Sequence, residues 1–186
     1  MLPLCACNEK RSNKISLDFD GDDVVDEVML DGSKLIINDK VHDLAHLDPK
    51  WIDSCDLDGD GRLELFIAVK KSTPFHRDIK LRPFFFNIKD AKLYKKWTGS
   101  KFREDFKDIK FMRYNNRDLV VVHELLEDSE RISIYYWFGF GFRYLCESKS
   151  YDSIKSFEIK DDIIYLIGKK GNKKIREHLS LTDFKQ

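Results

Sequence analysis

Apolar residues in this chain alternate with polar ones or form short solid runs, and no segment sustains the period of a helix. Lys34-Leu-Ile-Ile-Asn38, Pro83-Phe-Phe-Phe-Asn-Ile88, Lys92-Leu-Tyr-Lys-Lys-Trp97, Arg131-Ile-Ser-Ile-Tyr-Tyr-Trp137 and Phe140-Gly-Phe-Arg-Tyr-Leu-Cys146 are β-branched or aromatic runs. Turn signals such as Asp31-Gly32, Lys89-Asp90 and Gly139 bound them, and each run predicts a strand. Residues 43–47 and 102–106 each suffice for one helical turn, but neither reaches the length of a globular helix. Residues 71–82, with Thr73-Pro74-Phe75-His76-Arg77 at their centre, lie between strong strands on either side and predict an exposed loop of the kind that carries binding residues. Lys169-Lys-Gly-Asn-Lys-Lys174 predicts a basic hairpin tip in solvent.

The pattern also repeats. Asp18-Phe-Asp-Gly-Asp-Asp-Val-Val-Asp-Glu-Val28 aligns with Asp56-Leu-Asp-Gly-Asp-Gly-Arg-Leu-Glu-Leu-Phe66 at an offset of 38 residues. Phe111-Met-Arg-Tyr-Asn-Asn-Arg-Asp-Leu-Val-Val-Val122 and Phe157-Glu-Ile-Lys-Asp-Asp-Ile-Ile-Tyr-Leu-Ile167 keep the outline of a polar turn entering an apolar strand, without the acidic set. Strands starting near Val24, Leu63, Leu119 and Ile163 therefore recur at about 40 to 55 residues, the spacing of propeller blades. The expectation is an all-β fold, a β-propeller-like array of about four antiparallel repeat units. Residues 1–13 form an N-terminal tether and 14–186 a single β-repeat domain.

Composition narrows the function classes. Lys plus Arg equals Asp plus Glu at 33 each, so no net field draws in nucleic acid or an anionic membrane surface. With 42% hydrophobic and 13% aromatic residues the chain belongs to ordered β-rich proteins, long enough to bury a core. Cys55 and Cys146 stand isolated inside expected strands and read as buried small hydrophobes. Leu4-Cys5-Ala6-Cys7 resembles the end of a bacterial lipoprotein signal, which makes Cys7 the candidate lipidation site and a lipid anchor the one route to a membrane. Six residues before Cys7 are too few for a complete signal, so a shortened start and an accidental likeness both stay open. No other run approaches the roughly 18 apolar residues of a membrane span.

The two acidic loops carry the clearest chemistry. In the second, Asp56, Asp58 and Asp60 occupy alternate positions, Arg62 offers a backbone carbonyl and Glu64 closes the set. Oxygens at positions one, three, five, seven and nine of a tight loop suit a hard cation that takes 6 to 8 oxygen ligands, and Gly59 and Gly61 permit the turning. Calcium fits such a loop better than octahedral, reluctantly dehydrated magnesium. The first loop supplies Asp18, Asp20, Asp22, the carbonyl of Val24 and Asp26, with Asp23 where the other has glycine. That exchange requires Asp23 to take the left-handed conformation, at some cost in geometry. An EF-hand would need a bidentate Glu at position twelve and flanking helices, yet Met29 and Ile67 stand there and both exits read as strands.

With their strand exits, both loops resemble the D-x-D-G-D-G-x-x-D/E signature of FG-GAP and VCBS-type repeats, the calcium-binding blades of integrin-like β-propellers. At lower specificity Arg82-Pro-Phe-Phe-Phe-Asn87, Trp97-Thr-Gly-Ser100 and Trp137-Phe-Gly-Phe-Gly-Phe142 resemble segments of small bacterial proteins built on such repeats. The resemblance implies four-stranded antiparallel blades with calcium clipping the inter-strand turns, although 186 residues is short for seven blades.

No nucleophile–base pair, P-loop or dinucleotide fingerprint is present, so the chain is not read as an enzyme. His42, His46, His76, His123 and His178 are scattered, and His42 and His46 lack the Glu of a helical zinc motif. The weak candidates for ligand binding are His76, Arg77, Trp97 and Trp137. The expectation is an extracytoplasmic module, stiffened by two structural calcium ions, that binds a protein or carbohydrate partner. The alternative is a hydrolase or lyase of unrecognised type on a propeller scaffold.

Overall fold

The computed structural model describes residues 13–99 and 101–184. The expected tether and Cys7 fall almost wholly outside the described residues.

Four antiparallel sheets follow one another along the chain, and within each the strands are neighbours in sequence order. The first comprises β1 (Lys14–Leu17), β2 (Asp26–Asp31), β3 (Lys34–Ile37) and β4 (Lys40–Asp43). The second comprises β5 (Pro49–Cys55), β6 (Glu64–Lys71), β7 (Lys80–Lys89) and β8 (Lys92–Thr98). The third holds β9 (Asp105–Tyr114), β10 (Arg117–Leu125), β11 (Glu130–Trp137) and β12 (Phe142–Glu147). The fourth has β13 (Ser153–Lys160), β14 (Ile163–Lys170) and β15 (Lys173–Leu179). The repeat seen in the sequence is thus the hairpin between the first and second strand of every sheet. β2, β6, β10 and β14 begin within two residues of the expected starts.

Local chemistry explains the two-residue turns, which join β3 to β4, β7 to β8, β9 to β10 and β13 to β14. Asn38-Asp39, Asp90-Ala91, Asn115-Asn116 and Asp161-Asp162 all have positive φ at both positions, the twist-matching geometry that two-residue hairpin turns favour and that Asn and Asp tolerate. Ala45–Leu47 forms the expected single turn as a 3-10 helix joining the first two sheets. The turn expected at 102–106 does not form. Phe102 is buried among aromatic side chains, and Phe106 is recruited into β9, whose pairing with β10 outweighs a lone helical turn.

The interior strands of the second and third sheets alternate between two apolar cores. Val28, Leu30, Leu35 and Ile37 of the first sheet meet Leu65, Ile67, Phe84 and Phe86 of the second. The opposite face of that second sheet, with Phe66, Ala68 and Phe85, meets Ile109, Val120, Val122 and Tyr135 of the third. Met112, Leu119, Val121, Ile132 and Ile134 then meet Ile154, Phe157, Ile164 and Leu166 of the fourth. Consecutive phenylalanines 84, 85 and 86 therefore serve two cores, because successive side chains of a strand point to opposite faces. Burial on both faces also explains why Leu65, Phe66, Ile67, Ala68 and Val69 form a solid apolar run, while β2 alternates buried and exposed residues. Among the described residues, no apolar core joins the fourth sheet to the first.

The junction of the third and fourth sheets contains a buried polar stitch. Glu130 accepts bonds from Lys107, from the His123 ring at 2.8 Å and from the Ile154 backbone at 2.6 Å. Burial holds His123 below its ordinary pKa, against the pull of Glu130. On the other face of β10, fully buried Glu124 accepts bonds from Arg131, Ser133 and Tyr135.

Candidate metal centre

Both acidic loops are β-hairpin connections, the first between β1 and β2 and the second between β5 and β6, and both exit into strands. Glycine permits the path: Gly21, Gly59 and Gly61 have φ of 74°, 78° and 87°. Asp23 does adopt the left-handed conformation expected of it, at φ 64°. The loops are neighbours, joined by the Leu63 N–H donating to the Phe19 carbonyl at 3.0 Å. A cleft of about 650 Å³ lies between them, walled by Asp20, Asp22, Asp58, Asp60, Glu64 and Lys96 among others.

In the first loop, carboxylate oxygens of Asp18, Asp20 and Asp22 come within 4.8 Å of one another. Asp18 Oδ1 accepts the Gly21 N–H at 2.7 Å, and its Oδ2 accepts that of Asp23 at 2.9 Å. Asp22 Oδ1 accepts the Val24 N–H at 2.9 Å. These bonds draw the loop around its own carboxylates. Asp26 stands outside the group, its Oδ1 accepting from Asn38 at 2.6 Å and its Oδ2 from the Phe19 N–H at 3.2 Å. Asp20 Oδ1 is buried and has no hydrogen-bond partner. Burial, then the charges of Asp22 and Asp26, push the Asp20 carboxyl above its ordinary pKa, opposed by the Asp90 backbone N–H. Among the described residues, no ion pair involves Asp18, Asp20, Asp22, Asp23 or Asp26.

The second loop gathers Asp56, Asp58 and Glu64 in the same way, but protein cations already sit on them. Lys96, from β8, bonds Asp58 and lies 2.5 Å from Glu64 Oε1. Arg113, from β9, reaches Asp56 Oδ2 at 3.1 Å and Asp118 Oδ1 at 3.6 Å. Glu64 Oε2 accepts the Leu57 N–H and Asp56 Oδ1 the Gly59 N–H, each at 2.7 Å. Asp60 is turned to the Arg62 N–H at 2.9 Å. Burial pushes the Glu64 carboxyl above its ordinary pKa, against the pull of Lys96. Burial also works against the Lys96 ammonium, but its bonds to Asp58 and Glu64 outweigh that and hold its pKa above the usual lysine value. The loop is further pinned to the third sheet by mutual 2.7 Å bonds, Asp56 N–H to Asp118 Oδ2 and Asp118 N–H to the Asp56 carbonyl.

Calcium takes 6 to 8 oxygens at about 2.3–2.6 Å. The first loop suits it: three converging carboxylates, a buried oxygen without a donor and, among the described residues, no ion pair to a side-chain cation. The second loop does not suit it as it stands, because a carboxylate oxygen of Asp58 and one of Glu64 are already bonded to an ammonium. Nothing in the sequence pointed to Lys96, Arg113 or Asp118. They lie 32, 57 and 62 residues from their partners, and only strand pairing within the second sheet and the packing of the third sheet against it bring them near.

Of the other sequence candidates, the two tryptophans share Phe142 as a neighbour and the rest stand apart. Trp97 stacks on Phe102 and meets Phe142 edge-on, while Trp137 is buried against Phe142. His76 closes a tight turn with Thr73 in the loop after β6, and Arg77 beside it is exposed. His42 bonds the Ala91 carbonyl at 3.0 Å, whereas His46 lines an apolar groove, so the two share no site. Cys55 and Cys146 are buried, unbridged thiols, and burial raises the pKa of both. No helix of the described residues is long and apolar enough to cross a membrane. No protein-family model, curated protein or solved structure matches this chain, so its own residues carry the functional reading.

Proposed function

We propose that the chain is a calcium-stiffened repeat module of the FG-GAP/VCBS type, working outside the cytoplasm and presenting loop surfaces to a protein or glycan partner. The observation that carries the reading is the first acidic loop, with its converging aspartates and the unpartnered buried oxygen of Asp20. A propeller-like arrangement is supported by four successive meanders, by the recurring hairpin and by the first strands, where β1 approaches β5 and β9 approaches β13. Extracellular calcium modules bind at about 10⁻⁴ to 10⁻³ M, a range filled outside a cell and empty in the cytosol. Exposed aromatic tips support partner binding: Phe75 in the loop after β6, and Phe138 with Phe140 between β11 and β12, where Arg143 lies 3.7 Å over the Phe138 ring.

The test is melting with calcium against chelator. An ion at a hundred times its dissociation constant adds about 2.7 kcal/mol, or roughly 5–10 °C for a chain of this size. Asp20→Asn should remove most of that shift. A wild-type protein whose melting ignores calcium would overturn the reading. Glycan and peptide arrays probed with and without calcium then identify the partner class.

A further inference from the structure

We propose that Lys96 is the resident cation of the second acidic loop, so that this loop is clasped by the protein itself and binds no calcium in the native molecule. The inference rests on the calcium reading above and marks the exception to it: one ion per chain, at the first loop, rather than two.

The geometry gives Lys96 the place a metal would take. Its ammonium bonds Asp58 and Glu64, two of the three residues whose oxygens converge. Glu64 and Lys96 are nearly inaccessible, their side chains 3% and 11% exposed, so solvent does little to screen the pair. Lys96 is the extra residue of β8 at the register shift between Phe85 and Phe86, flanked by Lys95 paired with Phe86 and Trp97 paired with Phe85, and its ammonium lies 5.6 Å from the centre of the Trp137 ring on the next sheet. A cation over an indole face is attracted electrostatically by the ring. The third converging residue, Asp56, is met by Arg113. Of the four carboxylates in the sequence pattern, three thus face a side-chain cation, and Asp60 is turned to backbone. A calcium ion entering here would have to expel a positive charge from a confined site, or sit beside it. In the first loop, among the described residues, no side-chain ion pair stands in its way.

The tethered ammonium also does the structural work of a metal. It ties β8, the last strand of the second sheet, to the hairpin entering β6, and Arg113 ties that hairpin to the third sheet. This clasp needs no external ion, which places a permanent joint in the middle of the array and a calcium-dependent one at its start.

Calcium titration by calorimetry, with melting in chelator, tests the proposal on the full chain. Wild type should take up one ion and lose it on Asp20→Asn, while Asp58→Asn leaves the uptake unchanged. Lys96→Met should bind one ion more than wild type and melt several degrees lower in chelator, with calcium restoring the loss. Lys96→Arg, which keeps the charge, should stay at the wild-type stoichiometry. Uptake of two ions by wild type, one of them lost on Asp58→Asn, overturns the proposal, as does a Lys96→Met variant with unchanged stoichiometry. If wild type binds no ion, the reading of the first loop fails. The clasp is then judged by whether Lys96→Met gains an ion. Should Lys96→Met not fold, amine labelling of the wild type decides: Lys96 should resist reductive methylation equally with and without 10 mM calcium, on the order of the concentration that saturates such sites. Labelling at the rate of surface lysines, or labelling that calcium switches on, overturns it.

Discussion

The two acidic loops share their alternating Asp-x-Asp-Gly-Asp start and their place in the hairpin, yet they meet different surroundings. The first packs against its twin and against the turn at Asp90, and its carboxylates find backbone N–H groups but, among the described residues, no ion pair. The second is wedged between two sheets, and Lys96, Arg113 and Asp118 close on it. A ligand pattern is therefore only half of a metal site. The other half is what the neighbouring strands place beside it, since an ammonium and a divalent ion compete for the same oxygens.

The largest contrast should come from paired glycine substitutions. At Gly59 a Cβ would meet the Asn116 carbonyl oxygen at 2.9 Å in a left-handed backbone, whereas at Gly21 its nearest neighbour is the Arg62 Cγ at 3.7 Å. Gly59→Ala should therefore cost roughly 3 kcal/mol or more, combining strain with a backbone clash. Gly21→Ala should cost about 1–2 kcal/mol, for the left-handed residue alone. Urea unfolding of both variants measures the gap, and equal costs would mean the second loop is not wedged against the third sheet.

A smaller effect separates the loops by sign. Asp20→Asn relieves charge crowding in the first loop, so it should raise the melting temperature slightly in chelator and lower it in calcium. The variant should thus cross the wild type between the two conditions. The pH dependence follows from the same crowding. The Asp20 carboxyl is raised in the folded state, so the folded chain binds its proton more readily than the unfolded one. Its unfavourable contribution is full above the folded pKa and fades as pH falls toward the ordinary carboxylate value. In chelator, the advantage of Asp20→Asn over wild type should shrink as the buffer is taken from pH 7 toward pH 4.

His123 gives a metal-independent counterpart at the third and fourth sheets. Its folded pKa is depressed below 6.5 by burial, so the unfolded chain takes the proton first. The stability it contributes is complete above about pH 6.5 and is lost as pH falls through the depressed value. His123→Gln should flatten that slope in calcium and in chelator alike. The smallest effect belongs to the turn that replaces an acidic loop in the third sheet. Asn116 has φ 64° and is exposed, so Asn116→Gly should change stability by no more than about 0.5 kcal/mol.

Much of this molecule was legible in its residues. Two-residue periodicity and the scarcity of helical pattern marked an all-β chain, and the acidic repeat at residues 18 and 56 located the hairpins of the first two sheets. Weaker copies at 111–122 and 157–167 located the other two. Some strands were not legible. β4, β5 and β15 are short, polar or charged on their exposed faces, and owe their extended form to pairing with apolar neighbours. The stretch 102–106 read as a helical turn because local pattern carries no trace of the aromatic cluster that captures Phe102.

Fold class, hairpin positions and the presence of clustered carboxylates follow from the sequence alone, because they depend on alternation, turn chemistry and spacing over a few residues. Which carboxylates are left bare was decided by the tertiary structure. Strand order and sheet packing carry Lys96 and Arg113 across tens of residues into one loop and leave the other, among the described residues, without an ion pair, and electrostatics at that range depends on distance in space, to which spacing along the chain is blind.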